Sequence, residues 1–223
     1  MQRPELESSN VLSSAAWFSL LICGFLGPIQ SVIWNGTKAP GWCHATPWVG
    51  AMLHWQKAQM DISAYYFFGR LFFPIYLGCL LTLWRYRKVS IQSHSLSNTW
   101  GFRSLFLAVV IALLGNLTAY WGGGWWGKDV RFVGFWLTEV PALLVALLSF
   151  VWCGFSFWRA GAKYLGGGLM LVLPLALLVT GALRYMPHGP AFALCIGCGW
   201  LGFFGARIEN TLPKISSWVL EEA

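Results

Sequence analysis

Charge is what this chain has least of. Only 10% of its 223 residues are Asp, Glu, Lys or Arg, against roughly 25% in a soluble domain. That leaves too little polar surface to face water all round and excludes an ordinary water-soluble fold. Acidic residues are scarcest, eight against fifteen lysines and arginines. The net charge of +7 is scattered, with no basic block and no recognition motif, so no nucleic-acid partner is expected. Histidine is sparse too. His44, His54, His94 and His188, with Cys43, Cys195 and Asp61, supply metal-ligand types but no ligand spacing. Solvated loop histidines are the expected reading, with no metal site. No histidine stands at mid-span opposite another, so no haem, and no other cofactor, is expected. The glycine runs at 122–124 and 166–168 lack the strand and lysine of a phosphate loop. Five of the six cysteines lie in apolar runs, where a thiol behaves as a small hydrophobe, so there is no secreted disulfide framework.

Apolar sequence is what abounds: 57% of residues are hydrophobic, with mean hydropathy +0.59. A helix needs about 20 apolar residues to cross a bilayer. Runs at 11–34, 62–86, 102–121, 131–155, 164–184 and a short one at 190–206 reach or approach that length. The predicted fold class is all-α, a polytopic membrane protein with six transmembrane helices. One bundle over 11–207 is expected between cytoplasmic tails at 1–10 and 208–223. The first run is too long for a signal-peptide core and lacks a cleavage site, so it reads as a retained span. Thr46 and Pro47 form a helix cap and first helical position. Trp48, Met52, Leu53 and Trp55 follow as an apolar patch, which predicts a short interfacial helix in the first extracytoplasmic loop.

Basic residues set the orientation. Arg85, Arg87, Lys88 and Arg103 bracket the second connection, and Arg159 and Lys163 form the fourth. Arg207 and Lys214 follow the last span, on the same side as Arg3. Both termini are therefore expected in the cytoplasm, with the chain in a plasma membrane or bacterial inner membrane.

Within the fourth run stands one carboxylate, Glu139, and within the second one guanidinium, Arg70. A charge in hydrocarbon costs on the order of 3 kcal/mol and normally faces a partner or a wet cavity. Counted along the runs, both lie roughly 12 Å inside the same face, and an intramembrane ion pair is expected. Gln30, Tyr65, Tyr66, Asn116, Thr138, Thr180 and Arg184 fall at similar depth or shallower, making a polar layer in the outer half of the bundle. That layer either fixes helix register or binds a substrate group, with Arg70 as anchor and Glu139 as proton carrier.

Three classes of protein fit such a layer. The leading one is a small-molecule carrier or permease-like protein, bending at Pro74, Pro141 and Pro174. The second is a membrane-embedded enzyme on an isoprenoid or lipid, a cyclase or isomerase with Glu139 as its catalytic acid or base. The third is an accessory subunit of a membrane complex. The expected partners are membrane lipids and a small polar or amphipathic substrate. Pro74 and Pro174 occupy similar places in the two halves, but nothing else matches, so the coincidence does not amount to an inverted repeat.

Cys195 and Cys198 stand a helical turn apart and form a candidate redox pair. A thiol oxidoreductase also needs an external thiol pair, and only Cys43 is offered. Packing is the stronger reading. Cys195, Cys198, Gly202 and Gly205 form a small-residue stripe suited to helix contact, including contact within a homo- or hetero-oligomer.

Overall fold

The computed structural model describes the backbone of residues 4–92 and 96–211, and the surroundings of side chains over 14–86 and 99–204. His94, Lys214 and most of the C-terminal tail lie outside these residues. Among the described residues every element is helical and none is a strand. In order they are α1 (Pro4–Asn35), α2 (Gly41–Ala45), α3 (Pro47–Gln59), α4 (Ala64–Arg70), α5 (Phe72–Gln92) and α6 (Leu96–Asn116). Then follow α7 (Gly123–Trp126), α8 (Lys128–Phe132), α9 (Val140–Arg159), α10 (Lys163–Met170), α11 (Val172–Leu183) and α12 (His188–Thr211). Two π-helical segments interrupt the series, Leu117–Gly122 after α6 and Val133–Glu139 before α9.

Five helical stretches are long and apolar enough to cross a membrane: Ser14–Lys38, Ala64–Tyr86, Thr99–Trp126, Lys128–Arg159 and Lys163–Leu183. A sixth, His188–Phe204, is apolar but shorter. The third and fourth extend beyond their sequence limits because the Gly/Trp-rich segment after Tyr120 is helical rather than open. Only Gly127 separates them, at φ +94, a left-handed conformation that glycine adopts without a Cβ clash. The helix after Thr46 forms as expected, but Thr46 does not cap it. Its hydroxyl donates back to the Trp42 carbonyl at 2.8 Å.

Prolines set the breaks. Pro74 and Pro174 lack an N–H for the carbonyls of Arg70 and Met170, and their rings crowd that turn. The helices part three residues upstream, at Leu71 and Leu171. Pro141 stands just after the second π segment, inside the first turn of α9, where a missing N–H is tolerated.

Small residues set the closest approaches. α9 meets α10 through Gly154 and Gly166, where a Cβ on either would fall within 2.7 Å of the other's carbonyl oxygen. α1 and α5 meet where Gly78 faces Ser19, and α12 meets α11 where Gly189 faces Thr180. The core these contacts enclose is built from Leu26, Ile75, Leu105, Leu143, Leu169 and Leu194, all buried. The Cys195/Cys198 stripe also faces inward. Both thiols are fully buried, and the Gly202 carbonyl accepts the Tyr86 hydroxyl at 2.6 Å. Cys195, Cys198 and Gly202 thus seat other helices of the same chain. Gly205 falls outside the residues whose surroundings are described.

Candidate functional site

Glu139 is the last residue of the second π segment, and only 2% of it is exposed. It reaches the interior because α6 and the following π segment cross the fourth span with almost no separation. A Cβ on Gly115 would lie 2.6 Å from the Glu139 nitrogen, and one on Gly134 would lie 2.4 Å from the Ala119 nitrogen. Two bare glycines bring the backbones together there, and each helix takes up an extra residue in its turns. π segments recur at functional sites because they re-aim one side chain without ending the helix.

The carboxylate is held by Tyr76 of α5, whose hydroxyl donates to Oε1 at 2.7 Å. Oε2 has no protein partner. Asn116 interacts with the same carboxylate. Its amide nitrogen donates to the Gly69 carbonyl at 3.2 Å, while its Oδ1 is unpartnered. Tyr65, Tyr120 and Tyr185 lie within electrostatic range of Glu139, and the hydroxyls of Tyr120 and Tyr185 stand 3.4 Å apart. Gln30 is fully buried, with neither end of its amide paired.

Arg70 does not belong to this group, which corrects the expected ion pair. Its Nε donates to the Tyr120 carbonyl at 3.2 Å, and its guanidinium lies over the Trp121 ring, 4.6 Å from the centroid. Gly124 leaves space for it, since a Cβ there would meet Nη2 at 3.2 Å. Tyr120 touches both groups, accepting from Arg70 through its backbone carbonyl and lying within electrostatic range of Glu139 through its hydroxyl. The equal depths read from the sequence do not hold. Glu139 meets Tyr76, which lies six residues beyond Arg70 along the second span. A half-buried guanidinium can lay its stem on apolar surface and its head on an indole face, so it needs no carboxylate.

The other expected members divide. Gln30 and Asn116 are both fully buried, and Asn116 acts on the Glu139 carboxylate. Tyr66 is half-buried and packs edge-on to Tyr65, their centroids 5.3 Å apart. Arg184 is exposed and serves the connection between α11 and α12. It adopts a left-handed conformation and donates to the Lys38 carbonyl at 3.3 Å. Thr138 and Thr180 return their hydroxyls to the Val133 and Met186 carbonyls. Sequence reading missed Tyr76, Tyr120 and Tyr185, which look like ordinary aromatics in apolar runs. It also took His188 for a solvated loop residue. His188 opens α12 fully buried, Nε2 lying 2.6 Å from the Cys23 carbonyl. The prolines on either side, Pro187 and Pro190, were the available sign that this segment is fixed rather than loose.

The fold and this site define a multi-pass helical membrane protein with an occluded polar centre. Comparison with models of known families, with curated proteins and with solved structures finds no match to the chain.

Proposed function

We propose that the protein is a small-molecule carrier of permease-like type, with Glu139 as the proton-carrying group at its binding centre. The observation that supports this is a buried carboxylate with an unpartnered oxygen, Glu139 Oε2, beside the unpartnered Oδ1 of Asn116, in a bundle that also buries both amide atoms of Gln30 unpaired. Each such atom costs about 1–3 kcal/mol when buried without a partner, so a purely structural polar layer would have its atoms paired. A substrate offering both donors and acceptors pairs them. Tyr76 positions the carboxylate, and Tyr120 with Tyr185 lines the centre. Arg70, over Trp121, lies nearer the end of its helix and acts at the entrance. The breaks at Leu71 and Leu171 and the two π segments are where the helices would bend to open the centre. Both termini are placed in the cytoplasm on the distribution of lysine and arginine, so the centre lies toward the outer face.

The test uses liposomes holding the protein and a trapped pH-sensitive dye, challenged from outside with amino acids, sugars, polyols and nucleosides in turn. At least one class is expected to drive a pH change in the lumen. Glu139→Gln is expected to reduce that rate by about a hundredfold, in the range seen when a positioned proton-transfer group is removed. A response of unchanged size in Glu139→Gln, or none with any solute in the unmodified protein, contradicts the proposal.

A further inference from the structure

Four of the six cysteines converge where α1, α5 and α12 meet. Cys23, Cys79, Cys195 and Cys198 are all fully buried. The sulfurs of Cys79 and Cys195 are 3.8 Å apart. Cys198 also interacts with Cys79, and Cys23 with Cys195. The spacing of the two cysteines in α12 therefore serves a cross-helix purpose, presenting both sulfurs to α5. His188 adjoins the group, its Nε2 3.5 Å from the Cys23 sulfur. Among the described residues, no group of three His, Cys, Asp or Glu has an arrangement that would hold a metal ion. Two thiols in such proximity can be joined by oxidation to a disulfide.

None of the four sulfurs is reachable from water, so a soluble disulfide cannot exchange with them. A groove of about 350 Å³ leads in from the side, lined by Gly24, Trp42, Trp48, Leu183 and Phe192, with His188 among its walls. Nε2 of His188 faces a carbonyl, which can only accept, so it carries the ring hydrogen. Nδ1 is then an acceptor, buried and without a protein partner. A planar, lipid-soluble ring suits these walls, which include the rings of Trp42, Trp48 and Phe192.

We infer that Cys79 and Cys195 form a redox pair, oxidised to a disulfide by a lipid-soluble quinone that enters the groove beside His188. The sulfur–sulfur bond forms and both S–H bonds break. The two electrons and two protons pass to the two carbonyl oxygens of the quinone, which leaves as the hydroquinone. Closing the bond brings the sulfurs from 3.8 Å to about 2.05 Å. Cys23 lies between His188 and Cys195 and links groove to pair, while Cys198 stands ready to exchange with Cys79. This site uses no side chain that holds Glu139, so it stands or falls apart from the carrier proposal.

The reduced full-length protein in detergent is mixed anaerobically with a short-chain ubiquinone analogue. Hydroquinone formation is followed by absorbance, and free thiols are counted by alkylation after denaturation. Two thiols are expected to be lost for each quinone reduced, with a Cys79–Cys195 cross-link in the peptide map. Cys43→Ser, which removes a thiol outside the group, is expected to react like the unmodified protein. Ala182 also lines the groove, and Ala182→Trp, which fills it and leaves the thiols in place, is expected to slow the reaction. Six alkylated thiols with no quinone consumed, or a cross-link that omits Cys79, overturns the inference. So does an unchanged rate in Ala182→Trp, because the groove would then not be the route.

Discussion

Glu139 stays in the core because the glycines opposite it have no side chains. A methyl group on Gly134 would fall 2.4 Å from the Ala119 nitrogen, and backbone cannot turn aside as a flexible side chain can. Gly134→Ala is therefore expected to destabilise the protein by about 1–3 kcal/mol, the usual cost of overpacking. Gly50→Ala, inside α3 with open space around its Cβ, is expected to leave stability unchanged or raise it by up to about 1 kcal/mol. Thermal unfolding in detergent compares the two. Equal midpoints would mean the third and fourth spans do not cross as closely as described. At this scale the carboxylate itself was legible, since a lone charge in an apolar run is conspicuous. Its partner was not. Counting residues gives depth along a helix and says nothing of rotation about it, so Arg70 looked opposite while Tyr76 looked like filler.

The helices were legible as apolar runs, and the internal prolines as points of weakness. What the sequence left hidden was the form the irregularity takes. At Pro74 and Pro174 the helix divides at the leucine three residues earlier, because the ring disturbs the turn before it. Pro174→Ala supplies an N–H for the Met170 carbonyl and is expected to join α10 to α11. Amide hydrogen exchange across 170–175 should then slow relative to the unmodified protein. Unchanged exchange would place the cause of the break elsewhere. The π segments had no local signal at all. Each extra residue is accommodated where Gly115 and Gly134 press two spans together, a demand of tertiary packing that neither segment's own composition announces. The Gly/Trp-rich segment is opaque for a related reason: three glycines favour a flexible turn locally, yet α7 forms where Gly123 packs against Arg131 and Gly124 makes room for Arg70.

In the whole molecule, a buried carboxylate with its polar neighbours and a buried group of four thiols share one interior. Tyr76 connects them, donating to Glu139 while lying within electrostatic range of Cys23. The multi-pass, all-helical architecture followed from the scarcity of charge. The internal use of the small-residue stripe on α12 did not, because a sequence shows that a face is smooth but not which helix lies against it. One interhelical contact fixes the carboxylate, Glu139 with Tyr76 rather than Arg70. Two double-mutant cycles on unfolding free energy in detergent test it, one with Tyr76→Phe and Glu139→Gln, the other with Arg70→Gln and Glu139→Gln. The first pair is expected to show a coupling of about 1–3 kcal/mol, as contacting residues do, and the second to add within about 0.5 kcal/mol. Additivity between Tyr76 and Glu139, with coupling between Arg70 and Glu139, would contradict the account.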